Sequence, residues 1–254
     1  MNLSFSGNLA LVLGGSSEAG LAAARCLLES GIQPILSYRS SLGLKKIKDE
    51  LSSESKNVET VRLDFHDLET LAHLEEGPAA SCDYLVDFAQ EDFERYVCSA
   101  QSKDIDAFFQ ANVSFRASVL QFVGRGMLQR RHGRCVYISS TAASRTNPGQ
   151  GFYAAAKLAS EALYKNLGIE LGSRGVTAVI LRPGYIDAGR GRGYLQKNMQ
   201  DVLARVPIKR ALSSREVAET VLFLLSDAAS GFNAVDLVLD GGLTATKTSY
   251  ETRY

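Results

Sequence analysis

The run LALVLGG at 9–15 is apolar at every position and ends on two glycines. Six further runs of similar length follow: IQPILSY (32–38), VETVRLD (58–64), CDYLVDFA (82–89), RCVYISS (134–140), VTAVILRPG (176–184) and DLVLDGG (236–242). Most show little alternation of apolar and polar residues. A strand with one wet face alternates, whereas a strand covered on both faces does not. Helix-patterned segments separate the runs. AGLAAARCLLESG (19–31) carries Gly31 as a C-cap, and GLKKIKDELSSES (43–55) has a charged face for water. Residues 104–131 predict a largely helical stretch, and 153–171 a long helix. Strands alternating with helices predict an α/β fold, a single Rossmann-type doubly wound domain. Its seven-stranded parallel sheet would carry helices on both faces. No composition shift or repeat interrupts the pattern, so 1–254 reads as one domain.

Charge excludes one class of function. The chain has 28 Lys and Arg against 28 Asp and Glu, without the basic footprint of a nucleic-acid binder. Cys26, Cys82, Cys98 and Cys135 are scattered and form no CxxC pair, which fits reduced thiols in a cytoplasmic protein. His66, His73 and His132 have no neighbours at metal-ligand spacing, so no metal is expected. No signal-peptide pattern and no membrane-length apolar run appear.

In a parallel α/β sheet, ligands bind beyond the carboxyl ends of the strands. GGSSEAG (14–20) follows the first run and opens the first helix. Gly14, Ser16, Ser17, Ala19 and Gly20 therefore form a turn whose backbone N–H groups face a pyrophosphate, or else a simple tight connection. The second run ends in SYRSS, with no Asp or Glu for a ribose 2′-hydroxyl. Arg39 and Ser40 suit a 2′-phosphate, which favours NADP(H) over NAD(H). Asp64 and its neighbour Phe65 follow the third run, where Asp64 either accepts from an adenine amino group or caps the next helix. Ala89 marks the end of the fourth run, on the same edge.

Tyr153 and Lys157, in FYAAAK, share one helical face. An ammonium beside a phenol favours the phenolate and lowers the phenol pKa from its usual value of about 10. Such a tyrosine exchanges a proton with a carbonyl or alcohol oxygen. Ser140, at the end of the fifth run, is placed to hydrogen-bond the same oxygen.

With these motifs the chain resembles the short-chain dehydrogenase/reductases from about Leu9 to Ala245, and is most similar to the 3-oxoacyl-[acyl-carrier-protein] reductases. The resemblance implies a tetrad. Asn112 bends its helix and holds a water, Ser140 orients the carbonyl, Tyr153 is the acid or base, and Lys157 binds the nicotinamide ribose. It also implies that Pro183, Gly184 and Ile186 in RPGYI pack against the nicotinamide. Arg131 and Arg174 would dock an acyl carrier protein beside the cleft, and the last helix and strand would build a homotetramer. The segment DAGRGRGYLQKNMQ would be a mobile lid, with Arg190 and Arg192 attracting a phosphopantetheine or carrier surface. Three segments depart from the family pattern: in the turn Leu13 replaces a threonine and Glu18 a glycine, DFAQ (87–90) replaces NNAG, and Ala234 replaces a glycine. Two other functions fit the sequence. One is a ketoreductase or dehydrogenase acting on another small carbonyl or alcohol. The other is a non-catalytic dinucleotide-binding protein.

Overall fold

A computed structural model describes residues 3–52 and 58–246. Its seven strands are β1 (Leu9–Leu13), β2 (Gln33–Tyr38), β3 (Glu59–Arg62), β4 (Tyr84–Asp87), β5 (Gly133–Ile138), β6 (Val176–Pro183) and β7 (Val235–Leu239). All pair in parallel, in the order β3-β2-β1-β4-β5-β6-β7. The chain runs outward from β1 to β3 and then returns to lay β4 on the other side of β1. That reversal opens a crevice at the carboxyl ends of β1 and β4.

The helices are α1 (Glu18–Glu29), α2 (Ser41–Glu50), α3 (Ala72–Glu76), α4 (Ser102–Phe109), α5 (Phe115–Arg130), α6 (Gly151–Leu171), α7 (Gly189–Arg205) and α8 (Ser214–Leu225). Leu11, Leu13 and Leu85 join Phe115, Val119 and Tyr164 of α5 and α6 in one core. Ala10, Val12 and Val86 join Leu21, Leu27, Val217 and Val221 of α1 and α8 in a second. Alternate residues of one strand feed opposite cores, which is why the central strands are apolar throughout. The edge strand β3 has three of its four residues exposed, and this accounts for the polar residues in its sequence.

Local signals set the boundaries. Ser17 caps α1 by accepting from Gly20 N at 3.0 Å. At the other end Gly31 adopts φ +76°, and the N–H groups of Gly31 and Ile32 return to the carbonyls of Leu28 and Leu27. This is a Schellman motif, with Gly31 one residue beyond the Ser30 cap. The stretch expected to be helical over 104–131 is interrupted by a π-turn at Gln110–Ser114. The sequence 43–55 yields a helix only as far as Glu50, and Ser53–Ser55 fall outside the described residues. The segment expected as a flexible lid is the helix α7, kinked at Asn198. Among the described residues no helix is long and apolar enough to cross a membrane.

Candidate active site

Tyr153, Lys157 and Glu161 stand at i, i+4 and i+8 along α6. Glu161 is buried and accepts from Ser139 Oγ at 2.5 Å and from Arg182 Nε at 2.7 Å. It therefore ties α6 to the ends of β5 and β6. One turn back, the buried Lys157 donates from Nζ to the Ile138 carbonyl at 2.7 Å. Another turn back stands Tyr153, with Ser140 near enough to act on the phenol's titration; Ser140 Oγ accepts from Ala142 N at 3.1 Å. The ties made by Glu161 and Lys157 bring the phenol beside the serine at the carboxyl edge of the sheet.

The electrostatics differ from the sequence expectation. Burial pushes the Tyr153 phenol up, and it is opposed first by the Arg190 guanidinium and then by the Ser140 side chain. Lys157 does not dominate, because burial has lowered its own pKa to about 7, with Arg116 adding to the effect. Two cations lie over the Tyr153 ring, Lys157 Nζ at 5.8 Å and the Arg190 guanidinium at 6.0 Å from its centroid.

Asn112 sits in the π-turn. Its polar atoms bond within the chain. Oδ1 accepts from Glu91 N at 2.9 Å, and Nδ2 donates to the Phe108 carbonyl at 2.9 Å. The Asn112 carbonyl accepts from Arg116 Nη1 and from Ser160 Oγ. Arg116 is the residue that the sequence reading missed. It is fully buried, bonds Asp87 Oδ2 through Nε at 2.6 Å, and also donates to the Ala89 carbonyl. Asp87 further accepts from Tyr164 Oη at 2.9 Å and from Ala89 N at 2.9 Å. The departure from NNAG thus becomes a buried ion pair that steadies the end of β4. Two signals pointed to it: an acid inside an apolar strand needs a partner, and Arg116 lies four residues beyond Asn112.

The nucleotide wall fits a dinucleotide in part. Gly14 has φ +72°, and a Cβ there would press on Ala89 N at 3.0 Å, so the turn requires glycine. Glu18 does not stand as a bare charge in the turn, because Arg192 Nη2 donates to it at 2.8 Å. Its charge is balanced, and the helix N-terminus stays suited to a pyrophosphate. Ser17 and Ser40 use their hydroxyls as caps for α1 and α2. Ser16 and Ala19 are partly exposed in the turn. Asp64 accepts from His66 N, while Asp67 caps the following turn, so the capping alternative for Asp64 falls away. The Phe65 side chain packs in the core, stacked on Phe115 at 4.5 Å, and does not face a ligand. Arg39 is mostly exposed but donates to Glu91 Oε1 at 2.5 Å, and Glu91 Oε2 accepts from His66 Nε2 at 2.7 Å. The cation expected to meet a 2′-phosphate is thus already paired. At the other end of the cleft, Pro183 closes β6, Gly184 N donates to the Leu239 carbonyl, and Ile186 bridges to Leu212.

The four arginines expected to meet a carrier are placed otherwise. Arg131 and Arg174 precede β5 and β6, at the amino end of the sheet. Within one chain they lie on the order of 20 Å from Ser140, the rise of a six-residue strand. They do not flank this chain's cleft. Arg190 pairs with Asp92 at 3.0 Å, and Arg192 pairs with Glu18 and with Asp187. The lid arginines hold α7 against the turn and the post-β4 loop instead of standing free.

Beside Ser140 opens a cavity of about 730 Å³, which also reaches Gly184 and Tyr185. Arg145, Arg205 and Lys209 line it.

Comparison with known proteins agrees with this geometry. The family model described as enoyl-(acyl carrier protein) reductase matches residues 16–244. The chain is 30% identical to the 3-oxoacyl-[acyl-carrier-protein] reductase of Escherichia coli (strain K12), over 95% of this chain and 99% of that one. It is 28% identical to the protein of the same name from Vibrio cholerae, over 96% and 99%. A solved gluconate 5-dehydrogenase from Burkholderia cenocepacia, in complex with NADP and tartrate, superposes with a TM-score of 0.87 at 26% identity, over 96% and 97%. The chain belongs to the short-chain dehydrogenase/reductase family. It is an NAD(P)-dependent oxidoreductase acting on CH–OH groups.

Proposed function

We propose that this chain reduces the 3-oxo group of an acyl thioester borne on an acyl carrier protein, with NADPH as reductant and Tyr153 as general acid. The observation that carries this reading is the neighbourhood of Ser140, which lines the cavity, and Tyr153, with Lys157 buried one helical turn behind. A dihydronicotinamide, when bound, would supply the hydride for the carbonyl carbon. The chain's own residues manage the oxygen. Ser140 donates a hydrogen bond to it as charge develops, and Tyr153 delivers the proton. Gly14, Ser16, Ala19 and Gly20 would cradle the pyrophosphate, Lys157 the nicotinamide ribose, and Pro183, Gly184 and Ile186 the nicotinamide. Arg39 would meet the 2′-phosphate after leaving Glu91. Exposed Leu158 and Ile169 on α6 lend support to a homo-oligomer, taken to be a tetramer. Buried free Cys26, Cys82 and Cys135 agree with a cytoplasmic setting.

A second reading, a dehydrogenase of a small hydroxy acid, is favoured by the cationic lining of the cavity. The test is NADPH oxidation with a short 3-oxoacyl thioester, NADH serving as control. Tyr153→Phe should abolish turnover yet keep cofactor binding. Normal turnover by that variant refutes the mechanism.

A further inference from the structure

The cavity beside Ser140 has an uneven charge. Arg145 enters from the loop after β5, on the Ser140 side. Arg205 and Lys209 enter from the last turn of α7 and the segment beyond it. No carboxylate is among the residues that line the cavity, and none lies within ion-pair distance of these three cations among the described residues. The cations at the start of α7 are arranged differently, each matched to an acid. Asp240, which packs against Gly184, is withdrawn from the cavity's balance. Its carboxylate accepts from Gly242 N, Thr244 N and Thr244 Oγ1, all within its own turn.

Two of these cations, unmatched among the described residues, are also held in place. Arg145 Nη1 donates to the Thr246 carbonyl at 3.1 Å, and Lys209 Nζ to the Ala204 carbonyl at 3.1 Å. Lys209 has φ +56°, a left-handed conformation that lysine adopts only at a cost. Backbone strain that persists beside a cavity is a pointer to use. Like charges converging on one cavity raise each other's energy unless an anion joins them.

We propose that Arg145, Arg205 and Lys209 form an anion subsite of the catalytic cavity, which takes a phosphate or carboxylate of the substrate while Ser140 and Tyr153 hold its carbonyl or carbinol oxygen. This deepens the function proposed above and rests on its placement of the reacting oxygen. The substrate is therefore a ketone or alcohol that carries a remote negative charge. A phosphopantetheine arm and a small keto acid both supply that chemistry.

Matched probes separate the two sources. One pair is 3-oxobutyryl phosphopantetheine and 3-oxobutyryl pantetheine, which differ by the phosphate alone. The other is a six-carbon keto acid and its methyl ester. The charged member of one pair should show a KM lower by about tenfold or more, the effect of one charge-assisted contact. The triple variant R145Q/R205Q/K209Q should erase that ratio and leave kcat on the neutral member unchanged. The charge-keeping R145K/R205K/K209R should restore it. Equal KM values within both pairs, or a ratio that survives the triple Gln variant, overturns the subsite. Calorimetric titration with phosphopantetheine, pantetheine and the keto acid pair needs no turnover. A protein that turns over nothing, yet binds only the charged members and loses this in the Gln variant, keeps the subsite and discards the reductase reading. Binding that ignores charge discards the subsite.

Discussion

Arg116 and Asp87 form an ion pair in which neither side chain is exposed, 2.6 Å apart beneath the carboxyl end of β4. The same guanidinium holds the carbonyls of Ala89 and Asn112, and it lies 5.2 Å from the centroid of the Tyr137 ring. Lys157 Nζ lies 4.9 Å from the centroid of that ring. One buried pair thus joins the nucleotide wall to the catalytic helix.

Breaking the pair from one side leaves a buried charge without a partner. Asp87→Asn should cost on the order of 3–5 kcal/mol of stability. Asp87→Leu combined with Arg116→Met should cost less than either change alone, because no charge is then stranded. Urea denaturation of the wild type and the four variants measures this, and a loss under about 1 kcal/mol for Asp87→Asn contradicts the burial argument.

Lys157 gives a pH signature. Its folded pKa of about 7 lies below the usual lysine value, so between the two the unfolded chain holds a proton that the folded chain does not. Stability from this group therefore rises with pH above about 7 and is lowest below it, where the charge must be buried. The charged groups around it are Arg116, Asp87, Arg190 and Glu161. Wild type should gain on Lys157→Met between about pH 6 and pH 9. Parallel stability curves for the two proteins count against the lowered value.

Glu91 competes for Arg39. Removing its charge should strengthen binding of 2′,5′-ADP by about two- to fivefold, the worth of one surface ion pair, and leave 5′-AMP unchanged. Calorimetry on Glu91→Gln decides this. Equal effects on both nucleotides mean that Arg39 does not read the 2′ position.

Ala234 precedes β7 with φ +55°, where a Cβ is strained. Ala234→Gly should stabilise the fold by about 0.5–1 kcal/mol, despite the freedom that glycine adds to the unfolded chain. Thermal unfolding tests it, and a lower midpoint would show that the site tolerates the left-handed alanine without cost.

Much of the architecture was legible in the chain. Doubly buried strands must be apolar on both faces, so the central strands announced a covered parallel sheet. The i, i+4 spacing of Tyr153 and Lys157 placed both on one helical face, and strand ends marked Gly14 and Ser140, because these are local relations. The electrostatics were not legible, because charge balance depends on neighbours that are distant in sequence. Arg39 meets Glu91 across 52 residues, and Glu18 meets Arg192 across 174. Burial, which the sequence does not state, raises the Tyr153 phenol and lowers Lys157. Phe65 likewise looked available for a ligand until packing turned it onto Phe115. The sequence by itself determined the order of strands and helices and the residues offered for chemistry. Tertiary structure alone decided which charges were neutralised and which were left facing the cavity, because desolvation and Coulomb energies depend on distance through space and not along the chain.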